Sequence, residues 1–362
     1  MTSTAVTVGT AHELRAVQEF YAAREWTDGL PVVPVTEDYL DEFLATTDRD
    51  PNEVLFRMPH LNRDLTVRLA AINAALAGCL PHYFPVIVAA WRAIALERFP
   101  VRGIWQSTTG TAPFLVVNGP VTSQIALNSS GNIFGSGFRA NATIGRAIRL
   151  ASINVFGLQP HRLDQATQGN PSKFAAAFAE NEAESPWEPF HVEHGYAASD
   201  SVVSAFVIRT VMHVEARHTR SAEQLGRDFV NSITRTGALL HEYNTSLLVV
   251  GPEHARVFAD QGWDKSELRR FVFENAVLPR SALAEVGKDA ISSYSRWRLP
   301  ADHPDAIADE AAAGDRPDTV RALSSPEALQ IVVAGANNAG VSAVVDIFGS
   351  PRGVPVSLAQ VE

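Results

Sequence analysis

The chain has 362 residues, of which 46% are hydrophobic and 19% charged, and this composition is typical of a folded protein rather than a disordered one. Its formal net charge of −10 opposes binding to a nucleic-acid backbone or to an anionic membrane, so neither is a predicted partner. The sequence begins without the basic and apolar segments of a signal peptide and has no run of about 18 apolar residues, which a membrane helix needs, so we expect a cytoplasmic protein.

The first third of the chain is predicted to be mostly helical. Thr10 and Glu13 form a capping-box pattern at the start of a helix, and a second, strongly apolar helix follows Thr66. Pro81 is predicted to open a third helix, because proline is favoured in a first turn. Cys79 lies between the second and third helices and is the only cysteine, which excludes an internal disulfide and a multi-cysteine zinc site.

A glycine-rich loop follows a buried strand predicted at residues 112–118. The loop ends at Asn141, which is predicted to be the N-cap of a helix that Gly157 closes. Free backbone amides before a helix N-terminus favour anions, so this segment is a candidate site for a substrate carboxylate or phosphate, with a structural turn as the alternative. Its glycine spacing matches neither the Walker nor the dinucleotide-binding pattern. The candidate binding residues here are Gly131, Asn132, Gly135, Gly137, Arg139, Asn141 and Thr143.

The second half of the chain is predicted to alternate strands and helices. The predicted segments are a strand at 201–216, a helix from Ser221 through Leu240, a strand at 246–250, helices from Pro252 and from Asp264, and a strand from Leu329. Asn337 and Asn338 follow the last of these strands and are a second candidate contact for substrate, because ligands of α/β sheets gather at the carboxyl ends of strands. A simple turn is the alternative.

This pattern predicts an α/β or α+β fold in which helices cover a mixed sheet. We expect an N-terminal portion with the helices and the glycine-rich loop over residues 1–180, and a C-terminal α/β portion over residues 181–362. The two portions are expected to form a single large unit or two closely packed domains, and to fold as one cooperative unit.

The thiol of Cys79 has two interpretations. If Pro81 begins a helix, the thiol lies at the positive end of the helix dipole, which lowers a thiol pKa, and His82 would be close enough to assist. Alternatively, a cysteine in an alanine-rich helix is a small buried hydrophobic residue.

Histidine and glutamate cluster in the middle of the chain. His191 and Glu193 share one face if their segment is extended, His194 lies on the other face, and His213 begins a second His-Val-Glu triplet. Such residues can supply an acid–base pair or bind a metal, or a histidine can be a hydrogen-bonded structural residue. The pattern is not the HExxH signature, so the sequence predicts no particular metal or cofactor.

Several segments together resemble a largely uncharacterised family that is often encountered with small thiol or selenol proteins named for a UGSC motif. The matching segments extend over nearly the whole chain and are Trp26–Pro34, Ala77–Val86, Asn118–Pro120, Arg139–Ala147, Glu180–Glu182, Ser185–Glu193, Pro252–Ala255 and Ile331–Gly335. The resemblance implies a single cooperative unit and, by association, thiol or sulfur chemistry involving Cys79. In the family, the loop after the final strand is richer in glycine and has a His-Ser pair, whereas this chain has Ala336–Ser342.

The leading hypothesis is a small-molecule lyase or hydrolase that cleaves a C–S or C–N bond of a carboxylate-bearing substrate. Cys79 would be the nucleophile or proton donor, and His191 with Glu193 would provide general acid–base catalysis. This hypothesis requires the thiol, the glycine-rich loop and the His–Glu pair to face one cavity. The apolar helices around Cys79 are compatible with homo-oligomerisation. The alternatives are a non-catalytic binding or assembly subunit, and a metalloenzyme whose ligands are His191, Glu193 and either His194 or His213.

Overall fold

The computed structural model describes residues 9–96, 106–237, 239, 244–288, 318–348 and 356–362, and they form an α/β fold around one curled sheet of seven strands. The described strands are β1 (Val54–Met58), β2 (Arg63–Thr66), β3 (Ala112–Asn118), β4 (Ala177–Ala179), β5 (Val202–Glu215), β6 (Thr245–Val250), β7 (Val277–Pro279), β8 (Thr319–Arg321), β9 (Leu329–Val333), β10 (Val341–Ile347) and β11 (Ser357–Gln360). The main sheet has the order β4-β3-β5-β10-β6-β9, and β11 also pairs with β5. β1 with β2, and β7 with β8, form two small antiparallel pairs.

The described helices surround this sheet, and none of them is long and apolar enough to cross a bilayer. They are α1 (Ala11–Ala23), α2 (Glu37–Leu44), α3 (Val67–Ala77), α4 (Phe84–Ala95), α5 (Val121–Gln124), α6 (Arg139–Asn154), α7 (Phe190–Glu193), α8 (Ala222–Ile233), α9 (Pro252–Asp260), α10 (Lys265–Asn275) and α11 (Arg280–Ala284).

The predicted caps at Thr10, Ser221 and Asp264 are confirmed, since each side chain accepts a hydrogen bond from an amide in the first turn of α1, α8 or α10. Thr66 caps α3 in the same way, although only the helix after it was predicted. Such caps satisfy amides that have no partner inside the helix. α8 is shorter than predicted and ends at Ile233.

Two predicted helix starts are wrong. α6 begins at Arg139 after Phe138, so Asn141 lies inside the helix and is not its N-cap. The side-chain amide of Asn141 instead forms two hydrogen bonds with the backbone of Asn128: Oδ1 accepts from the Asn128 N–H group and Nδ2 donates to the Asn128 carbonyl. These bonds hold the start of the glycine-rich loop against the helix. Pro81 opens only a short 3₁₀ turn, and α4 begins later, at Phe84.

The main sheet consists of two halves with the same order of elements. In the first half, β3 is followed by the turn Gly119-Pro120 and by helices α5 and α6. The chain then forms β4, which is parallel to β3, and later the long strand β5, which is antiparallel to it. In the second half, β6 is followed by the turn Gly251-Pro252 and by helices α9 and α10. The chain later forms β9, which is parallel to β6, and then β10, which is antiparallel to it. β5 and β10 pair with each other and join the halves, so strands from before and after residue 180 share one sheet.

Three apolar clusters stabilise this arrangement. Helices α3, α4 and α6 pack on the first half of the sheet around Trp91, and helices α8, α9 and α10 pack on the second half around Phe258. The third cluster contains residues from β3, β4, β5, β6, β9 and β10, and is completed by Ile133 of the glycine-rich loop and Phe190 of α7. The curl of the sheet also brings the edge strands together, because the Asn181 amide, just beyond β4, donates to the Val333 carbonyl of β9 at 2.7 Å. We call this junction the seam.

Candidate functional site

A fully buried carboxyl, that of Glu180, ties the seam together. It follows β4 directly, and its Oε2 atom accepts hydrogen bonds from the Phe190 amide at 2.7 Å and from Asn118 Nδ2 at 2.6 Å. Its Oε1 atom accepts from the Val333 amide at 3.3 Å. Burial raises the pKa of this carboxyl, and the charge of Lys265 and these donors oppose that rise only in part. Glu180 therefore joins the ends of β3 and β9 to the start of α7.

Glu182 lies beside it, on the solvent side of the seam. Its Oε1 atom accepts hydrogen bonds from the Gly119 amide and from Asn118 Nδ2, both at 2.8 Å, and its side chain is 29% exposed. Gly119 has φ +83°, and a Cβ atom there would lie 2.0 Å from the Asp200 carbonyl oxygen. Only glycine permits this approach, so the turn after β3 presents its amide to Glu182.

His191 is the least satisfied polar group in this region. Its Nδ1 atom lies 3.9 Å from Glu182 Oε1, and the side chain has no solvent exposure. Within the described residues, neither ring nitrogen has a hydrogen-bond partner, and the Oδ1 atom of Asn118 also has none. Buried polar atoms without partners are rare because they cost free energy, so a buried imidazole of this kind is a candidate for function.

The predicted pairing of His191 with Glu193 is wrong. Both residues lie in the single turn α7 rather than in an extended segment, and Glu193 forms ion pairs with Lys265, at 3.1 Å, and with Arg269. Burial opposes ionisation of Glu193, but Arg269 and Lys265 outweigh it and lower the pKa of this carboxyl. Its role in the structure is to hold α10 against α7.

The predicted metal ligands are also not brought together. His194 Nδ1 pairs with the Phe190 carbonyl at 2.9 Å, and burial lowers the pKa of this imidazole. His213 lies on β5, where its ring is 6.3 Å from that of Phe134. Among the residues that the structure describes, no three His, Cys, Asp or Glu side chains form a group that could hold a metal ion.

The second half of the sheet has a comparable polar group at its own Gly-Pro turn. The Gly251 amide donates to Ser342 Oγ at 3.0 Å, and His254 Nδ1 lies 2.7 Å from the same oxygen. His254 Nε2 lies 3.4 Å from the Ala216 carbonyl oxygen, and burial lowers the pKa of the imidazole. A Cβ atom on Gly251 would lie 2.2 Å from the Val341 carbonyl oxygen. Both ring nitrogens of this histidine have partners, which is typical of a structural residue.

Cys79 is sealed inside the first apolar cluster. Its side chain has no solvent exposure, and burial raises the pKa of the thiol to about 12, although a hydrogen bond with Thr143 and the charges of Arg139 and Arg146 oppose the rise. The expected lowering of the thiol pKa is therefore wrong, since the long helix begins after the 3₁₀ turn and desolvation dominates. His82 is exposed and packs edge-on against Tyr83.

The glycine-rich loop connects the region of Cys79 to the seam. Its last part contacts the cysteine segment, because Arg139 Nε donates to the Gly78 carbonyl at 2.9 Å. Its first part lies at the seam, where the Asn128 carbonyl accepts from the Ala179 amide and the Ser129 carbonyl accepts from the Gly335 amide. A Cβ atom on Gly131 would lie 3.4 Å from Ala336 in the turn after β9.

The remaining predicted binding residues are either hydrogen-bonded to the backbone nearby or exposed to solvent. Asn132 stabilises the loop by donating to the Ser136 carbonyl at 2.8 Å. Thr143 donates to the Arg139 carbonyl at 2.8 Å. The exposed members are Asn132, Gly135, Gly137, Asn337 and Asn338.

Three residues of the seam, Asn118, Glu180 and Glu182, are absent from the catalytic residues that the sequence suggested. Asn118 ends β3, which was predicted, whereas Glu180 and Glu182 come after β4, a short strand that no sequence pattern predicted. Because β3 and β4 are parallel neighbours, their carboxyl ends meet at one edge of the sheet. No protein-family model and no curated protein sequence matches this chain.

Proposed function

We propose that this chain is a small-molecule enzyme, a lyase or hydrolase that uses Glu182 as a general acid–base and His191 as its proton partner. One observation carries the proposal: His191 is fully buried, neither ring nitrogen has a hydrogen-bond partner among the residues that the structure describes, and Nδ1 lies 3.9 Å from a carboxylate that solvent reaches. An imidazole can accept a proton in one step of a reaction and return it in the next.

The surrounding groups support this division of roles. The Gly119 amide and Asn118 Nδ2 fix Glu182 through its Oε1 atom. Glu180, by contrast, is buried and bonded to three donors, and its role is to position Asn118 and α7.

The proposed substrate is a small molecule with a carboxylate and a C–S or C–N bond. Support for the carboxylate comes from α6, whose N-terminus has no side-chain cap and whose first residue is the exposed Arg139. Such a helix end favours an anion. The loop that leads to it starts at the seam, where Asn128 accepts a hydrogen bond from Ala179.

In the lyase form of the reaction, Glu182 removes a proton from the carbon beside the substrate carboxylate. The electron pair forms a carbon–carbon double bond, and the C–S or C–N bond breaks. The proton, held meanwhile between Glu182 and His191, passes to the leaving sulfur or nitrogen, so no net proton is gained. In the hydrolase form, Glu182 takes a proton from a water molecule whose oxygen bonds to the carbon that carries the sulfur or nitrogen. The C–S or C–N bond then breaks, and the same proton passes to the leaving sulfur or nitrogen. Cys79 has no role in either form, because its thiol is buried and protonated at neutral pH.

The test starts from compounds rather than from a known substrate. Small carboxylates that contain a thioether or an amine are screened for a rise in the unfolding temperature of the protein, and those that bind are assayed for release of free thiol or amine. We expect Glu182→Gln to lower kcat by roughly 10²–10⁴-fold, the usual contribution of a general acid–base. Glu184→Gln is the matched control, since this partly exposed carboxylate two residues further on pairs with Arg256, and it should keep wild-type turnover.

Two outcomes would overturn the proposal. Turnover that survives in Glu182→Gln removes the assigned base. Compounds that bind tightly at the seam but are never cleaved by the wild-type protein indicate a binding subunit instead of an enzyme.

A further inference from the structure

Lys265 is a buried lysine that connects the second half of the molecule to α7. It is the first residue of α10, and only 6% of its surface is exposed. Its Nζ atom donates to the Glu188 carbonyl at 2.9 Å and to Glu193 Oε2 at 3.1 Å. Glu188 comes just before the N-cap of α7, and Glu193 is the last residue of that helix. One ammonium group therefore bridges the two ends of the turn that carries His191.

This position is unfavourable for a cation. The N-terminus of a helix carries partial positive charge, so a lysine at the first position of α10 is disfavoured by the helix dipole. Burial adds a desolvation cost, which an ion pair offsets only in part. Glu193 also has a second cationic partner, Arg269, and an apolar side chain at position 265 would avoid both costs. Stability alone does not explain this lysine.

The helix α7 depends on outside contacts for its position. It is a single turn of four residues, and among the described residues no side chain caps its N-terminus. A helix this short is unstable by itself, because nucleation costs more free energy than one turn returns. The His191 ring has no hydrogen bond within the part of the chain that the structure describes. Packing and the contacts of the turn therefore set the position of this ring relative to Glu182, whose Oε1 atom lies 3.9 Å from Nδ1.

Lys265 also lies close to the seam. Its Nζ atom is 5.9 Å from the centre of the Phe190 ring, and the Phe190 amide donates to Glu180 at 2.7 Å. Burial raises the pKa of Glu180, and the charge of Lys265 is the largest effect that opposes this rise. The bridge thus joins the turn of His191 to the buried carboxyl that holds the strand ends together.

We propose that Lys265 is a positioning residue, which bridges both ends of α7 and so holds the His191 imidazole beside Glu182. This role rests on the proposed function. It uses both halves of the molecule, because α10 belongs to the second half and Glu182 follows β4 in the first. The ammonium contacts no substrate in this role, so its loss should lower kcat and leave KM unchanged.

The experiment compares Lys265→Met with the matched control Lys173→Met. The Lys173 side chain is 14% exposed and shares Asp164 with Arg149, just as Lys265 shares its carboxylate with an arginine. The magnetic resonance signals of the His191 ring, assigned by their absence from His191→Leu, should shift or broaden in Lys265→Met and keep their wild-type positions in Lys173→Met. With a substrate from the screen, kcat should fall by roughly 10²-fold in Lys265→Met, the cost of misplacing a reacting group by about 1 Å, and remain at the wild-type level in the control.

The positioning role is excluded if the ring signals of His191 are the same in Lys265→Met as in the wild-type protein. It is also excluded if Lys173→Met lowers kcat as much, or if Lys265→Met raises KM and leaves kcat unchanged. When the wild-type protein cleaves no compound, the proposed function fails, and the ring signals still decide whether Lys265 holds His191. If Lys265→Met does not fold, Glu193→Gln takes its place, because it breaks the bridge at the end of α7 and should move the same signals.

Discussion

Each half of the sheet has a Gly-Pro turn after a strand, but the polar side chains beside the two turns are bonded differently. In each half, the strand ends at a glycine whose amide donates to a side-chain oxygen that neighbours a buried histidine. In the second half, Ser342 and His254 are in hydrogen-bond contact at 2.7 Å. In the first half, Glu182 and His191 are 3.9 Å apart, and the histidine has no hydrogen bond among the described residues.

This difference separates a structural pair from a candidate catalytic pair. A satisfied buried network stabilises the fold, whereas an unsatisfied one costs free energy that selection would remove if stability were the only requirement. The exposed edge of Glu182 adds to the contrast, because the oxygen in the second half is almost fully buried. Burial alone is therefore a poor guide to function, and the number of unused donors and acceptors is a better one.

The largest effect on stability should come from Glu180→Leu. This change removes the acceptor of three buried donors, the amides of Phe190 and Val333 and the side chain of Asn118. Since each stranded donor costs about 1–3 kcal/mol, we expect the free energy of unfolding to fall by roughly 3 kcal/mol or more in urea denaturation. A loss below about 1 kcal/mol, the usual limit for an exposed ion pair, would show that the seam does not depend on this carboxyl.

A pair of variants tests the comparison directly. Ser342→Ala should cost about 1–3 kcal/mol, because His254 and the Gly251 amide lose their partner. His191→Leu should leave stability unchanged or raise it, because it removes from the interior two polar atoms that have no hydrogen-bond partner among the described segments of the chain. The same urea measurement applies to both variants. Comparable destabilisation by the two substitutions would mean that the histidines have the same structural role.

Cys79→Ala should have a smaller effect, about 1 kcal/mol, because it removes one sulfur atom from a packed apolar cluster. Turnover of any substrate found in the screen should remain at the wild-type level. In the folded protein, alkylation of the thiol should also be far slower than in denaturant, since burial raises its pKa to about 12. Loss of turnover with intact stability would restore the thiol as a catalytic group.

The pH dependence of stability should show opposite contributions from the two halves. Burial lowers the pKa of His254 below its ordinary value of 6.5, so its contribution is complete above that pH and is lost as the pH falls through the lower value. Burial raises the pKa of Glu180 above 4.5, so its contribution is complete below that pH and is lost as the pH rises. Unfolding free energies from pH 4 to 8 should lose the acidic decline in His254→Gln and the alkaline decline in Glu180→Gln. Unchanged profiles would show that neither group titrates with folding.

Local sequence signals predicted the longer helices and four of the seven strands of the main sheet, β3, β5, β6 and β9, but not β4, β10 or β11. The predicted caps at Thr10, Ser221 and Asp264 located helix starts because they act within one turn of the chain. The α/β class followed from the alternation of elements. The prediction that Asn141 caps a helix was wrong, because its side-chain amide is hydrogen-bonded to the backbone of Asn128.

The candidate site was harder to predict because it depends on contacts between distant segments. Glu180 and Val333 are 153 positions apart, and only the curl of the sheet brings them together. The sequence did place His191 among the candidate residues, but it paired that histidine with Glu193, which tertiary structure commits to Lys265 and Arg269. Alternation along a segment could not reveal that the segment turns into a helix.

The seam also affects how prone the protein is to aggregation. An uncovered strand edge is a template for pairing with other chains, and the curl places the outer strands β4 and β9 against each other at Asn181 and Val333. The proposed acid–base pair is located at that same junction. A substitution that loosens this junction would therefore disturb the proposed catalytic geometry and expose two strand edges to aggregation at the same time.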